Sequence, residues 1–183
     1  MKKTKLSFID LETTGLNPVK HEILEIGCLV VRPIDDSPRP QWEVVDELEM
    51  KVKPTRLESA EPEALRVNGY NEGDWLFAAS LEQAMKTLCE KIADTTVVAQ
   101  NVAFDWSFLE SAFSATGVQP KVFYHKMDLP SMVYGKLHHK PELQKVSLWA
   151  LSQYFGIKNE NAHTALADAR TTFEIFKKLL ELP

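Results

Sequence analysis

Residues 6–31 read LSFIDLETTGLNPVKHEILEIGCLVV, and this stretch decides the fold. Leu6, Phe8 and Ile9 form a short β-like run that ends in two acids, Asp10 and Glu12. A turn-rich segment follows, and then Ile23–Val31, a run rich in β-branched residues. Pro33, Pro38 and Pro40, with Asp35 and Asp36, break that run as a hairpin loop does. A third β-like run, Trp42–Lys53, stops at Pro54. Three such runs joined by short turns predict an antiparallel meander.

Beyond the meander the pattern changes. A short helix is predicted over Glu61–Val67, closed by Asn68 and Gly69. Leu81, Met85, Leu88, Cys89 and Ile92 keep helical spacing, with Ser80 as the N-cap. Thr95–Ala99 reads as a strand, Phe104–Ala115 as a helix ending at Gly117, and Val122–Tyr124 as another brief strand. Leu148, Leu151 and Phe155 mark a helix that ends at Gly156. Leu166, Ala169, Phe173, Phe176 and Leu180 form the apolar stripe of a last helix, with Thr164 as its N-cap. Lys136–Lys145 has no periodicity and reads as an exposed basic loop. Strands alternating with helices after a meander predict an α/β fold, a mixed sheet with crossover helices.

Composition narrows the function. The chain has 183 residues, enough for one domain with a sizeable core, and 44% of them are apolar. With 21 Lys and Arg against 26 Asp and Glu, the formal charge is −5. That disfavours gripping nucleic acid or membrane by bulk positive charge. Cys28 and Cys89 form no CxxC pair or framework and are expected to be reduced, buried thiols in a cytoplasmic protein. No signal-peptide pattern and no run near the roughly 18 apolar residues of a membrane span is found. Neither GxGxxG nor GxxxxGK[ST] occurs, so a nucleotide-binding domain has no support. The four tryptophans, Trp42, Trp75, Trp106 and Trp149, are expected to pack and not to stack on bases.

Three acidic motifs remain. Asp10 and Glu12 lie on one face of the first strand. Asp105 falls in the first turn of the helix after the fourth strand, and alone it need only favour the helix dipole. Asp168 opens the last helix, with His163 five residues earlier. Five residues rotate a helix by about 500°, so His163 can share a centre with Asp168 only from a loop ahead of the helix. Singly, each motif reads as a solvated element end. Together they place four acids and a histidine where element ends converge over one sheet edge. Oxygen donors without thiolates suit two hard divalent cations, Mg²⁺ or Mn²⁺, and suit zinc poorly. Two such ions clamp both oxygens of an in-line phosphoryl displacement.

The motifs DLETTG (Asp10–Gly15), NVAFD (Asn101–Asp105) and HTALADA (His163–Ala169) resemble, in order, those of the DEDDh (DnaQ-like) 3′–5′ exonucleases. That family includes the proofreading subunit of bacterial replicative DNA polymerase and stand-alone relatives. The resemblance implies an RNase H-like fold: a five-stranded mixed sheet, antiparallel meander first and parallel strands after, flanked by helices. It implies a single exonuclease domain over residues 1–183. Asp10, Glu12, Asp105 and Asp168 would ligate two Mg²⁺ or Mn²⁺ ions. His163 would be the general base that activates water, releasing nucleoside 5′-monophosphates from a single-stranded or frayed DNA 3′ end, in replication or repair. Thr13, Thr14, Gly15 and Leu16 would hold the terminal nucleotide, Leu16 as a wedge, with Asn101 and Phe104 framing the other side. The alternatives are the same chemistry on RNA, or a non-catalytic nucleic-acid-binding module. Two positions depart from the family: Gln100 stands where many relatives carry His, and Asn68-Gly69-Tyr70 where His-Gly-Ile is common. A DNA polymerase contact occurs in the family, but the sequence stops at Pro183, soon after the last helix, and no handle for one is expected.

Overall fold

Alternation along the first strand sorts its residues onto two faces of one sheet. The computed structural model describes residues 4–37, 39–158 and 164–183. Strands β1 (Lys5–Thr13), β2 (Ile23–Pro33) and β3 (Trp42–Lys51) form the antiparallel meander. β4 (Thr95–Ala99) and β5 (Met127–Asp128) add in parallel, giving a five-stranded sheet of order β3-β2-β1-β4-β5. This is the expected RNase H-like mixed sheet.

Ile9 and Leu11 face one side, where Ile26, Cys28 and Val97 meet α2 (Leu81–Lys91) and α3 (Val102–Thr116) through Met85, Leu88, Phe108 and Leu109. Leu6 and Phe8 face the other. There Leu29, Val31 and Val98 meet α4 (Leu129–Leu137), α5 (Leu148–Phe155) and α6 (Ala165–Glu181). Phe8 packs against the rings of Phe173 and Phe176 at centroid distances of 5.1 and 5.3 Å. Helices thus cover both faces, as the parallel strands require. The short α1 (Pro62–Val67) precedes α2, whose N-cap Ser80 accepts from the Gln83 backbone N–H as predicted.

Several expectations are corrected. The last strand is Met127–Asp128, not Val122–Tyr124. Residues 121–123 run past β4 with only single backbone bonds to Asp94 and Thr95, so they form no ladder. Helix α4 was not foreseen, and it claims Lys136 and Leu137 from the predicted loop. Cys28 is buried, but Cys89 is only half-buried. Trp75 is buried and Trp42 packs edge-on against Phe173 and Phe176, whereas Trp149 is largely exposed. Among the described residues no helix is long and apolar enough to cross a membrane.

One glycine fixes how closely α6 approaches the sheet. A Cβ on Gly27 of β2 would lie 2.1–2.2 Å from the Ala165–Leu166 backbone. Gly27→Ala must therefore push the start of α6 away. The expected loss is about 2–3 kcal/mol, read by circular dichroism as a Tm fall of roughly 5–10 °C. An unchanged Tm would show that α6 does not lie against Gly27.

Candidate active site

β1 outruns its neighbour β4. The two pair only over Lys5–Phe8 and Thr95–Val98, and β4 ends at Ala99 while β1 continues to Thr13. A crevice therefore opens past the carboxyl ends of the two strands, where the chain leaves β1 toward β2 and β4 toward β5. Open α/β sheets bind ligands at such switch points. Asp10 and Glu12 continue the Leu6–Phe8 face into this crevice, on the side covered by α6.

The structure brings Asp10, Glu12 and Asp168 together: one carboxylate oxygen from each lies within 4.8 Å of the others. Asp105 arrives from the first turn of α3 and is buried. Its Oδ1 accepts the Leu11 backbone N–H at 3.0 Å, on the stretch of β1 that has outrun β4. His163, the expected base, lies outside the described residues.

The electrostatics of this cluster are unfavourable without a cation. Burial, followed by the charges of Asp105, Asp168, Glu12 and Glu25, holds the Asp10 carboxyl well above its ordinary range. Burial and then Asp168, Glu25 and Asp105 push Glu12 up to about 8. Burial pushes Asp105 up to about 8, against backbone hydrogen bonds that pull it down. Converging carboxylates with only oxygen donors fit hard divalent cations, which would replace the retained protons as counter-charge.

The turn after β1 is built from its own side chains. Thr13 Oγ1 donates to Gly15 O at 2.8 Å, and Thr14 Oγ1 accepts the Glu22 N–H at 2.8 Å. Both threonines are buried. A Cβ on Gly15 would meet the His21 ring at 2.3–2.4 Å, so this position admits no side chain without a shift. His21 Nδ1 in turn accepts the Asn17 N–H at 3.0 Å. Leu16 projects outward, 74% exposed. Opposite, Asn101 is exposed in the left-handed region at φ 67°, and Phe104 is half-buried against Phe108.

Three residues to which the sequence reading gave no role in the site hold these parts in place. Glu25, buried on β2, accepts the Ala165 N–H at the start of α6 at 3.0 Å. Asp128 joins two helix starts, accepting from Val102 N at 3.1 Å and Ser131 N at 3.0 Å. Asn68 donates to Thr13 O at 2.8 Å. An acid inside an apolar strand and an Asp before Leu-Pro were the signals for the first two. Lys136, from the predicted basic loop, donates instead to the Leu182 and Pro183 carbonyl oxygens.

The sequence pattern of the RNase_T exonuclease family matches residues 7–176. The chain belongs to this exonuclease family. Among relatives of this chain is the PolC-type DNA polymerase III of Caldanaerobacter subterraneus subsp. tengcongensis, 28% identical over 94% of the chain but only 11% of that protein. Another is the 3′–5′ exonuclease DinG of Staphylococcus aureus, 28% identical over 96% of the chain and 18% of that protein. The chain therefore spans under a fifth of the length of either curated relative. In fold it resembles E. coli exonuclease I, solved with a dT13 oligonucleotide. The TM-score is 0.79 at 19% identity, covering 98% of this chain and 42% of that one.

The acidic cluster predicts a pH signature. In the folded metal-free protein Glu12 and Asp105 keep protons up to about pH 8, whereas the unfolded chain releases them near pH 4. Between these values the folded state binds more protons, so stability falls as pH rises. Tm in EDTA is expected to fall by several degrees from about pH 5 to about pH 9. Millimolar Mn²⁺ should recover most of that loss at the upper end, measured by differential scanning calorimetry.

Proposed function

We propose that residues 1–183 act as a single, metal-dependent 3′–5′ exonuclease domain that removes nucleoside 5′-monophosphates from single-stranded or frayed DNA 3′ ends. The carrying observation is the meeting of Asp10, Glu12 and Asp168 in the crevice between β1 and β4. The match to an exonuclease family over residues 7–176, and relatives named as a 3′–5′ exonuclease and a DNA polymerase, support that chemistry. The fold neighbour solved with dT13 supports a single-stranded DNA substrate. A polymerase contact forms no part of this reading. The free thiols Cys28 and Cys89 suit a reducing, cytoplasmic setting.

Asp10, Glu12, Asp168 and Asp105 would hold two Mg²⁺ or Mn²⁺ ions. When bound, the ions supply Lewis-acid stabilisation of the attacking and leaving oxygens of an in-line displacement. His163 takes the proton of the attacking water as the P–O3′ bond of the terminal phosphodiester breaks. An ordinary imidazole pKa near 6.5 suits that task near neutrality. Thr13 and Thr14 act through the shape of the turn, Gly15 lets the backbone pass close, and Leu16 presents an apolar edge to the last base. Asn101 and Phe104 line the opposite rim.

The test uses 3′- and 5′-labelled DNA and RNA single strands with Mg²⁺, Mn²⁺ or EDTA. Stepwise shortening from the 3′ end is expected, abolished by EDTA, and faster on DNA. If the wild-type chain with Mn²⁺ leaves every strand intact, the proposal fails. Faster shortening of RNA would reassign the substrate, since the 2′-hydroxyl is what separates the two. Asp10→Ala should remove activity and weaken Mn²⁺ binding. His163→Ala should lower kcat by about 10²–10⁴ while calorimetric Mn²⁺ binding persists. Equal loss of metal affinity would contradict its role as base.

A further inference from the structure

Glu25 sits inside the apolar run of β2 and is only 5% exposed. A buried carboxylate is costly unless its charge is paired and its oxygens are hydrogen-bonded. Both conditions are met. Oε1 accepts the Ala165 N–H at 3.0 Å, and Oε2 lies 3.5 Å from Lys51 Nζ. Lys51 is held in turn, its Nζ 3.7 Å from the Trp75 ring centroid, while Trp75 Nε1 donates to Leu24 O at 3.0 Å.

The register gives this arrangement its consequence. Glu25 lies opposite Glu12 on β1 and Lys51 on β3, and Gly27 lies opposite Asp10. All five positions share the face covered by α6. Gly27 lets the α6 backbone touch the sheet, and Glu25, one step along that face, holds the first N–H of the helix. Asp168 follows within the first turn, at the position where it meets Asp10 and Glu12. Among the described residues Glu25 is not part of that carboxylate group. Its oxygens are committed to α6 and to Lys51.

We propose that Glu25 is a positioning residue. By accepting the Ala165 N–H it fixes the first turn of α6, and so sets the spacing at which Asp168, Asp10 and Glu12 share a cation. This rests on the cation-binding reading of the cluster. A bond at fixed reach is what matters here, and that separates three substitutions. Glu25→Gln keeps a carbonyl oxygen at the same reach. Glu25→Asp keeps the charge but is one methylene short. Glu25→Ala removes both.

The experiment is calorimetric titration of the whole chain with Mn²⁺, without substrate, followed by kinetics on a labelled single strand. Glu25→Ala and Glu25→Asp should weaken Mn²⁺ binding by about tenfold or more. Both should lower kcat with the KM for the oligonucleotide little changed, while Glu25→Gln stays within about threefold of wild type. A purely structural role would lower Tm without moving the Mn²⁺ affinity of the folded fraction. Should the alanine variant fail to fold, the Asp and Gln pair decides. Wild-type Mn²⁺ affinity in Glu25→Asp, or a loss in Glu25→Gln alone, overturns the proposal. A wild-type chain that takes up no Mn²⁺ overturns the cation reading and this one with it; wild-type binding with unchanged Glu25 variants overturns this one alone.

Discussion

Helix α6 can lie against the sheet because residue 27 has no side chain. The Ala165–Leu166 backbone occupies the space a Cβ would need, so the helix starts directly over β2. The apolar stripe of α6 then runs along the sheet to Phe8, Leu29 and Val31. The first turn buries Ala165 and Leu166 and carries Asp168 to the acidic end of β1. The close approach that completes the packing is thus also what brings Asp168 to Asp10 and Glu12. A bulkier residue at position 27 would disturb the core and the carboxylate group together.

That placement works against stability. Burial raises the proton affinity of Asp10, Glu12 and Asp105, and at Asp10 and Glu12 the neighbouring like charges raise it further. Two groups limit the cost. Asp105 satisfies a backbone N–H on β1 beyond the last rung shared with β4. Glu25 is held between Lys51 and the α6 N-terminus, where the helix dipole favours negative charge. The remaining repulsion is what a divalent cation would relieve.

Much of the fold was legible because its long elements carry a clear period. The three meander strands, β4, and helices α2, α3, α5 and α6 all lie within a few residues of their expected positions. β5 was misplaced because it pairs through only two residues, too few for a pattern. α4 escaped because Gly135 lies inside it and weakens a helical reading. Its cap, Asp128, was nonetheless present in the sequence. Of the site, Asp10, Glu12 and Asp168 were visible as motifs, yet their meeting depends on Gly27 and Glu25. Both were read simply as parts of a β-like run, since one-dimensional spacing does not reveal which helix crosses which strand. Trp149 resisted for a similar reason: a tryptophan at an apolar helix position reads as core, and only the packing of α5 leaves it outside.

The two departures from the family motifs acquire a physical meaning here. Asn68, where His is common, donates to Thr13 O and so ties the end of α1 to the turn beneath Leu16. Gln100, also at a common His position, donates through Nε2 to Val146 O at 2.6 Å, linking the end of β4 to the approach to α5. Each amide reaches across the crevice rim to a backbone carbonyl. A neutral imidazole could make one such bond, but a protonated ring would bring positive charge toward the carboxylates and change with pH. An uncharged amide holds the same rim at any pH. These two links therefore do not themselves change as the acids of the site titrate.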